Sequence, residues 1–371
     1  MKILIVGAGL FGAVCAHEFA KAGHRCTVIE KRSHIGGNVF TRYIPEADCH
    51  EHVYGAHIFH TNSKKIWDYV NQFAEFNHYV NRVKVDCGSG IYSFPINLFT
   101  LYQVYGVRTP DEARARLEQA LVPNATPANM EEYCLSAIGE DLYQIFIEGY
   151  TQKQWGRHPR ELPADVVKRL PVRFTFDDNY FNDRYQGIPV GGYTAIIEKM
   201  LAGADVRLNV DFNADREDWI SQYDKVVYTG PIDAFFDYRH GTLEYRSLRF
   251  ERELLPVSDF QGNAVMNYSR REVPWTRIIE HKHFDMKLNA PNTLITREYP
   301  DAWTVGKTEY YPLNNPSTDM LFRRYRDAAE ELAPKIHFGG RLAEYRYYDM
   351  HQIVGSALSL CDRLGEGRSS M

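Results

Sequence analysis

The chain has 371 residues, more than a single hydrophobic core normally serves, so two or three domains are expected. Hydrophobic residues at 44% and charged residues at 25% exclude an intrinsically disordered chain. The net charge of −5 excludes an overall cationic field for nucleic acid or anionic lipid, so an anionic ligand needs locally placed arginines.

Aromatic residues reach 13%, with 25 Tyr and 20 Phe, more than the core needs, which points to a planar ligand. The six cysteines are scattered without a C-x-x-C pair, a pattern expected of a reducing, cytoplasmic setting. No run of about 18 apolar residues occurs, so no membrane insertion is expected.

Lys2-Ile3-Leu4-Ile5-Val6 reads as a buried parallel strand. Glycines at 7, 9 and 12 interrupt the apolar run to Cys15, so it reads as a motif rather than a signal peptide. Gly7 permits a tight turn, Gly9 lets backbone approach a diphosphate, and Gly12 lets the following helix lie close to the strand. The helix start, with Phe11 in it, then offers unpaired N–H groups and positive potential to phosphate. A second strand, Cys26-Thr27-Val28-Ile29-Glu30, ends in an acid 21 residues past Gly9, placed for ribose hydroxyls. Lys31-Arg32-Ser33-His34-Ile35-Gly36-Gly37-Asn38 follows, and this Gly-Gly pair resembles the extended fingerprint of FAD-dependent proteins. Gly7, Gly9, Phe11, Gly12, Glu30, Lys31, Gly37 and Asn38 are thus candidate cofactor contacts.

Further along, Cys49-His50-Glu51-His52 and His57-Ile58-Phe59-His60 supply metal-capable side chains. Alternation at 50 and 52 equally fits a strand, and without a closing C-x-x-C or H-E-x-x-H no metal is expected. Residues 81–97 and 236–309, rich in Tyr, Val, Thr and Arg, read as antiparallel strands. Helical periodicity over Asp111–Leu121 and Met130–Tyr150 places a helical bundle at 98–184. Pro189-Val190-Gly191-Gly192-Tyr193 opens a helix, and Lys225-Val226-Val227-Tyr228 is another strand. Ile336-His337-Phe338 leads into Gly339-Gly340-Arg341, where a late strand returns to the cofactor, and the tail Gly365–Met371 reads as frayed. The expected class is α/β: a discontinuous FAD-binding Rossmann-like domain (1–80, 185–235 and 310–371), an inserted helical bundle, and a mainly antiparallel β-sheet domain.

Several long segments resemble the bacterial UDP-galactopyranose mutase family. They are His34–Asn38, Tyr54–Thr61, Gly149–Gly156, Lys168–Phe174, Pro274–His281 and Tyr345–Met350. The resemblance implies a flavin-dependent isomerase interconverting UDP-galactopyranose and UDP-galactofuranose, a precursor of cell-surface polysaccharide. It implies FAD, active only when reduced, with NAD(P)H as reductant, and a homodimer. In the implied mechanism flavin N5 attacks the anomeric carbon, UDP leaves, and an iminium adduct opens and recloses as the furanose. The absence of a Ser-His-Asp or paired-carboxylate signature agrees with a cofactor as the reactive group.

Carried over to this sequence, the resemblance makes Arg169 and Arg277 the clamp on the diphosphate, which guanidinium groups suit by charge and geometry. Arg169 is expected on a loop that closes over substrate. His60 is implied beside the flavin ring in an electrostatic role, not as a general base. Phe146, Tyr150 and Trp155 are implied at the uridine, although the i, i+4 spacing of 146 and 150 equally fits core packing. Asn81, Tyr180, Arg246, Asn267, Tyr311, Tyr347 and Asp349 complete the implied substrate contacts, and His57, Gly340, Arg341 and Met350 the cofactor contacts. Three other readings use the same motifs: a mutase acting on UDP-N-acetylgalactosamine, an FAD oxidase or dehydrogenase, and a flavin-free binding module like the Rab GDP-dissociation inhibitors.

Overall fold

The structure is a computed structural model that describes residues 1–168 and 171–366. Its first sheet is five-stranded and wholly parallel, in the spatial order Ile336–Phe338, Lys225–Tyr228, Lys2–Val6, Arg25–Glu30, Asp205–Leu208. The N-terminal apolar run is the central strand. Ile3 and Ile5 face the helices Leu10–Lys21, Gly192–Leu201 and Met350–Glu366, while Leu4 and Ile29 face the other side with Tyr325 and Ala328 of helix Pro316–Glu330. A sheet covered on both faces reads as continuous rather than alternating hydrophobicity, which Lys2–Val6 shows. The C-terminal helix takes in Gly365 and Glu366 of the tail expected to fray. Residues 367–371 lie outside those described.

The second sheet has seven strands, in the order Tyr311–Pro312, Tyr245–Leu255, Thr293–Ala302, Arg277–Glu280, Val265–Tyr268, Val83–Asp86, Ile91–Phe94. Its pairs are antiparallel except Val265–Tyr268 with Val83–Asp86. The helices Leu98–Tyr105, Pro110–Ala120 and Met130–Leu142 pack Leu101, Leu117 and Leu142 with Val83, Val85 and Val265 of this sheet. The helix expected to run unbroken over Met130–Tyr150 is interrupted. Gly139 adopts φ +76°, and a side chain there would meet the Ala120 carbonyl at 2.6 Å, so the chain bends against its neighbour. A π-helical turn, Tyr143–Glu148, and a short helix, Gly149–Trp155, complete the segment. Residues 50 and 52 lie on the strand Cys49–His52, paired with Thr41–Ile44, as the alternation predicted.

One buried carboxylate holds a corner of the second sheet. Glu280 accepts hydrogen bonds from the backbone of Phe260 and Gln261, both at 2.9 Å, and from the Thr293 hydroxyl at 2.7 Å, beside His283. Burial by itself would raise its pKa, but the His283 contact and these bonds bring it down to about 2. Its contribution is therefore complete above the unfolded value of about 4.3 and is lost as pH falls toward 2. His283 has the opposite sign. Burial opposes its charge, the Glu280 contact prevails and raises it, so its contribution fades as pH rises through that raised value. Thermal denaturation across the acid range is expected to show a falling midpoint below about pH 4, with a flatter acid limb in Glu280→Gln. An unchanged acid limb in that variant would refute the assignment.

Candidate active site

The C-terminal ends of the parallel strands build a cradle. Gly7 turns at φ +108°, and a side chain there would meet the Thr229 hydroxyl at 2.1 Å. A Cβ on Gly12 would lie 2.0 Å from the Gly7 carbonyl oxygen, and one on Gly37 would lie 3.1 Å from Gly9 Cα. The helix Leu10–Lys21 has no side-chain cap at Gly9, so its first N–H groups are left for a ligand. Glu30 accepts from the amides of Ala8 at 3.0 Å and Arg32 at 2.9 Å, fixing the loops on either side. The strand Ile336–Phe338 delivers Gly340 and Arg341 to the same place, with Gly339 against the Phe11 ring. Gly7, Gly9, Phe11, Gly12, Glu30, Lys31, Gly37, Asn38, His57, Gly340, Arg341 and Met350 all line this cavity of about 710 Å³. Arg32 Nη1 is buried here without a hydrogen-bond partner among the described residues, a donor left for an anion.

A second cavity, of about 490 Å³, shares Asn38, His57, Arg341 and Met350 with the first, so the two form one trough. One row of the antiparallel sheet makes its floor. Glu298 pairs with Arg277, Arg277 with Asn267, and Asn267 with Val85, and all four line the cavity. Glu298 is 2% exposed, and its Oε1 stands 3.3 Å from Arg277 Nε. Burial raises Glu298 and Arg277 pulls it back, whereas burial works against the Arg277 charge and Glu298 more than offsets it. The guanidinium is therefore a fixed cation in the wall of the trough. Asn267 Oδ1 and Gln154 Oε1 are buried acceptors without partners among the described residues, so the cavity offers polar contacts that the protein leaves open.

The helix Gly149–Trp155 forms the opposite wall. Tyr150, Thr151, Gln154 and Trp155 face the cavity, with Phe146 from the π-helical turn before it. The Tyr150 hydroxyl accepts from Arg277 Nη2 at 2.7 Å, and burial raises the phenol so that it stays protonated. Lys153, on the other face, donates to the carbonyls of Tyr268 at 2.7 Å, Val273 at 3.1 Å and Trp275 at 2.9 Å. Those carbonyls belong to the end of the strand bearing Asn267 and to the turn that leads to Arg277, so a single ammonium fastens the helix to the floor.

Asn81, Tyr180, Tyr311, Tyr347, Asp349 and His60 also line the second cavity. Tyr311 and Tyr347 stack with centroids 5.4 Å apart, and the Arg341 guanidinium lies over the Tyr347 ring. His60 stacks on Phe181 at 3.7 Å and donates through Nδ1 to Asp183. His57 donates through Nδ1 to the Gly55 carbonyl, and burial pushes it down to about 4. Arg246 is not brought to the cavity wall; its Nε donates to the Gln154 carbonyl behind the helix. Arg169, with Leu170, lies outside the described residues. Glu298, Gln154, Lys153 and Asp183 were not singled out from sequence. Glu298 sits beside Arg297 in a strand of mixed polarity, Thr293–Ala302, so nothing local in the sequence marked it.

A Gly-rich dinucleotide cradle opening into a tyrosine-lined cavity that carries Arg277 and Arg341 defines an α/β enzyme of flavoprotein-like fold. Residues 5–73 match the family described as NAD(P)-binding Rossmann-like domain, and residues 145–347 match that described as UDP-galactopyranose mutase. A probable UDP-galactopyranose mutase of Klebsiella pneumoniae is 43% identical over 366 residues, 97% of this chain and 94% of its own length. A dTDP-fucopyranose mutase of Escherichia coli is 38% identical over 364 residues, 96% of each chain. A crystal structure of reduced UDP-galactopyranose mutase superposes with a TM-score of 0.75, covering 100% of this chain and 96% of that one, at 15% identity, a likeness of fold alone. The chain belongs to the UDP-galactopyranose mutase family and is an enzyme of the mutase class. No helix among the described residues is long and apolar enough to cross a membrane.

Proposed function

We propose that this enzyme interconverts UDP-galactopyranose and UDP-galactofuranose, with FAD in the cradle and the UDP-sugar in the adjoining cavity. The observation that carries the reading is Arg277, a half-buried cation held by the buried Glu298 carboxylate at the side of a trough continuous with the dinucleotide cradle. The glycine approach at residues 9 and 37, the uncapped helix start and the unpartnered Arg32 Nη1 suit an anionic dinucleotide. When bound and reduced, FAD supplies a nucleophilic nitrogen for the anomeric carbon.

The protein's own residues bind and orient. Arg277, with Arg169 as its proposed partner, neutralises the diphosphate as it departs, a role worth several kcal/mol where water is excluded. Tyr150, Trp155 and Phe146 take the uracil ring, while Asn81, Asn267 and Tyr180 offer hydrogen bonds to ribose and phosphate. Tyr311, Tyr347 and Asp349 face the sugar, and Arg246 supports the wall from behind. The proposal includes NAD(P)H as reductant, a cytoplasmic homodimer, a product destined for cell-surface glycans, and the division into FAD-binding, helical and sheet domains at the boundaries given above.

The relative named for dTDP-fucopyranose makes the nucleotide and the sugar the points to test. Purified protein is expected to be yellow and, once reduced by dithionite, to turn over many UDP-galactose molecules per flavin. Product analysis with UDP-galactose, UDP-N-acetylgalactosamine and dTDP-fucopyranose ranks the substrates. Reductant consumed in step with substrate would identify an oxidoreductase instead, and a colourless protein that cannot be reconstituted would identify a binding module.

A further inference from the structure

We propose that Asp183 is the positioning residue that makes His60 the proton carrier for the sugar hydroxyls, in place of the electrostatic role expected from sequence, an assignment resting on the mutase reading above. His60 lies on the strand Phe59–Thr61, opposite Gln186 of the strand Tyr185–Gly187. That register brings Asp183, just ahead of the second strand, onto the imidazole. Nδ1 donates to Asp183 Oδ2, and the Asn62 amide donates to Asp183 Oδ1. Asn62 is held in turn, because its carbonyl accepts the Arg184 backbone N–H at 2.9 Å. Phe181 lies 11° from parallel with the imidazole and fixes the ring plane. The carboxylate thus keeps a proton on Nδ1 and leaves Nε2 as the nitrogen that exchanges protons, on a ring that lines the second cavity.

The reaction needs such a group. Contracting a six-membered sugar ring to a five-membered one breaks the C1–O5 bond and forms C1–O4. The bonding pair leaves with O5, which gains a proton, and a pair from O4 closes the new ring as O4 loses its proton. Protons and electrons balance, but a proton must be given at one oxygen and taken back at another. His60 enters the step as the imidazolium, gives its Nε2 proton to O5, is left as the Nδ1–H tautomer that Asp183 holds, and recovers an Nε2 proton from O4.

The other candidates in the trough are less suited. His57, pushed down to about 4 by burial, stays neutral near neutral pH and has no proton to give. Burial raises the Tyr150 and Tyr311 phenols, which hold their protons. Glu298 is committed to Arg277 and Thr276. The titratable groups facing His60 are Asp183 ahead of its partner strand, and Asp349 and His351 at the start of the C-terminal helix, whose donor atoms converge with those of His60 within 4.8 Å. Asp349 is therefore the rival carrier.

The test uses the FAD-loaded, reduced enzyme and its Asp183→Asn, His60→Gln, Asp349→Asn and doubly substituted His60→Gln/Asp183→Asn forms. Asp183→Asn is expected to lower kcat about 100-fold, with KM within about 3-fold. The double variant is expected to be no slower than His60→Gln, since both changes break one device. Imidazole nitrogen NMR, assigned by the signal missing in His60→Gln, should show the Nδ1–H tautomer lost in Asp183→Asn. An unchanged kcat and tautomer in Asp183→Asn, additive losses in the double variant, or a kcat loss in Asp349→Asn with none in Asp183→Asn would each overturn the assignment. If the unsubstituted enzyme converts no nucleotide hexose, the mutase reading fails and takes this one with it. If it turns over normally while Asp183→Asn keeps its kcat and its tautomer, only the dyad assignment fails.

Discussion

Replacing Arg277 by alanine is expected to lower turnover about 100- to 1,000-fold while leaving the flavin bound. Deleting one charged donor from a preorganised oxyanion site costs about 3–4 kcal/mol of transition-state stabilisation. Two features place Arg277 in that range. It is the middle member of the floor row Glu298–Arg277–Asn267, and its remaining N–H groups lie free of Tyr150 and Glu298. The variant should stay folded, because Glu298 is already raised by burial and takes up a proton once its cation is gone. Combining Arg277→Ala with Glu298→Gln removes even that load. Arg277→Lys keeps the charge but not the planar fork that reaches Tyr150 and Glu298 together, so an intermediate loss of about 10-fold is expected. Steady-state turnover and the flavin-to-protein absorbance ratio check both points, and a near-normal rate in Arg277→Ala would remove the clamp.

Gly12→Ala is expected to abolish flavin binding. The added carbon would lie 2.0 Å from the Gly7 carbonyl oxygen and 3.1 Å from Ile5 Cγ2, and neither the backbone nor the central strand can give way. The helix must therefore back away from the strand, carrying its N–H groups out of reach of the diphosphate, at a stability cost of about 1–3 kcal/mol. Gly23→Ala is the control. Gly23 also has a positive φ, +80°, but nothing lies within 4 Å of its Cβ position, so this variant pays only backbone strain and keeps its colour. A yellow, fully loaded Gly12→Ala protein would mean that the cradle does not hold the cofactor.

The cradle was legible because its parts are local. Strand, glycine turn, helix and acid follow one another within the first 30 residues, and Gly7 and Gly12 answer contacts that a Cβ would fill. The helices of 98–155 were legible from their periodicity, but their break was not. Gly139 reads as an ordinary helical residue until Ala120 is packed against it, and the π-helical turn that follows brings Phe146 to the cavity with Tyr150. Arg246 donates to the Gln154 carbonyl, a contact between distant segments that neither local stretch announces.

By itself the sequence determined the nucleotide cradle, the α/β class, the family and most side chains of the trough, because hydrophobic period, glycine spacing and motif are properties of short segments. Only the tertiary structure decided which charges act together. Val85, Asn267, Arg277 and Glu298 become one row through strand pairing between distant segments, and Asp183 reaches His60 through the register His60–Gln186. Register is fixed by which faces can be buried together, a condition set by the whole core and written in no local stretch of chain.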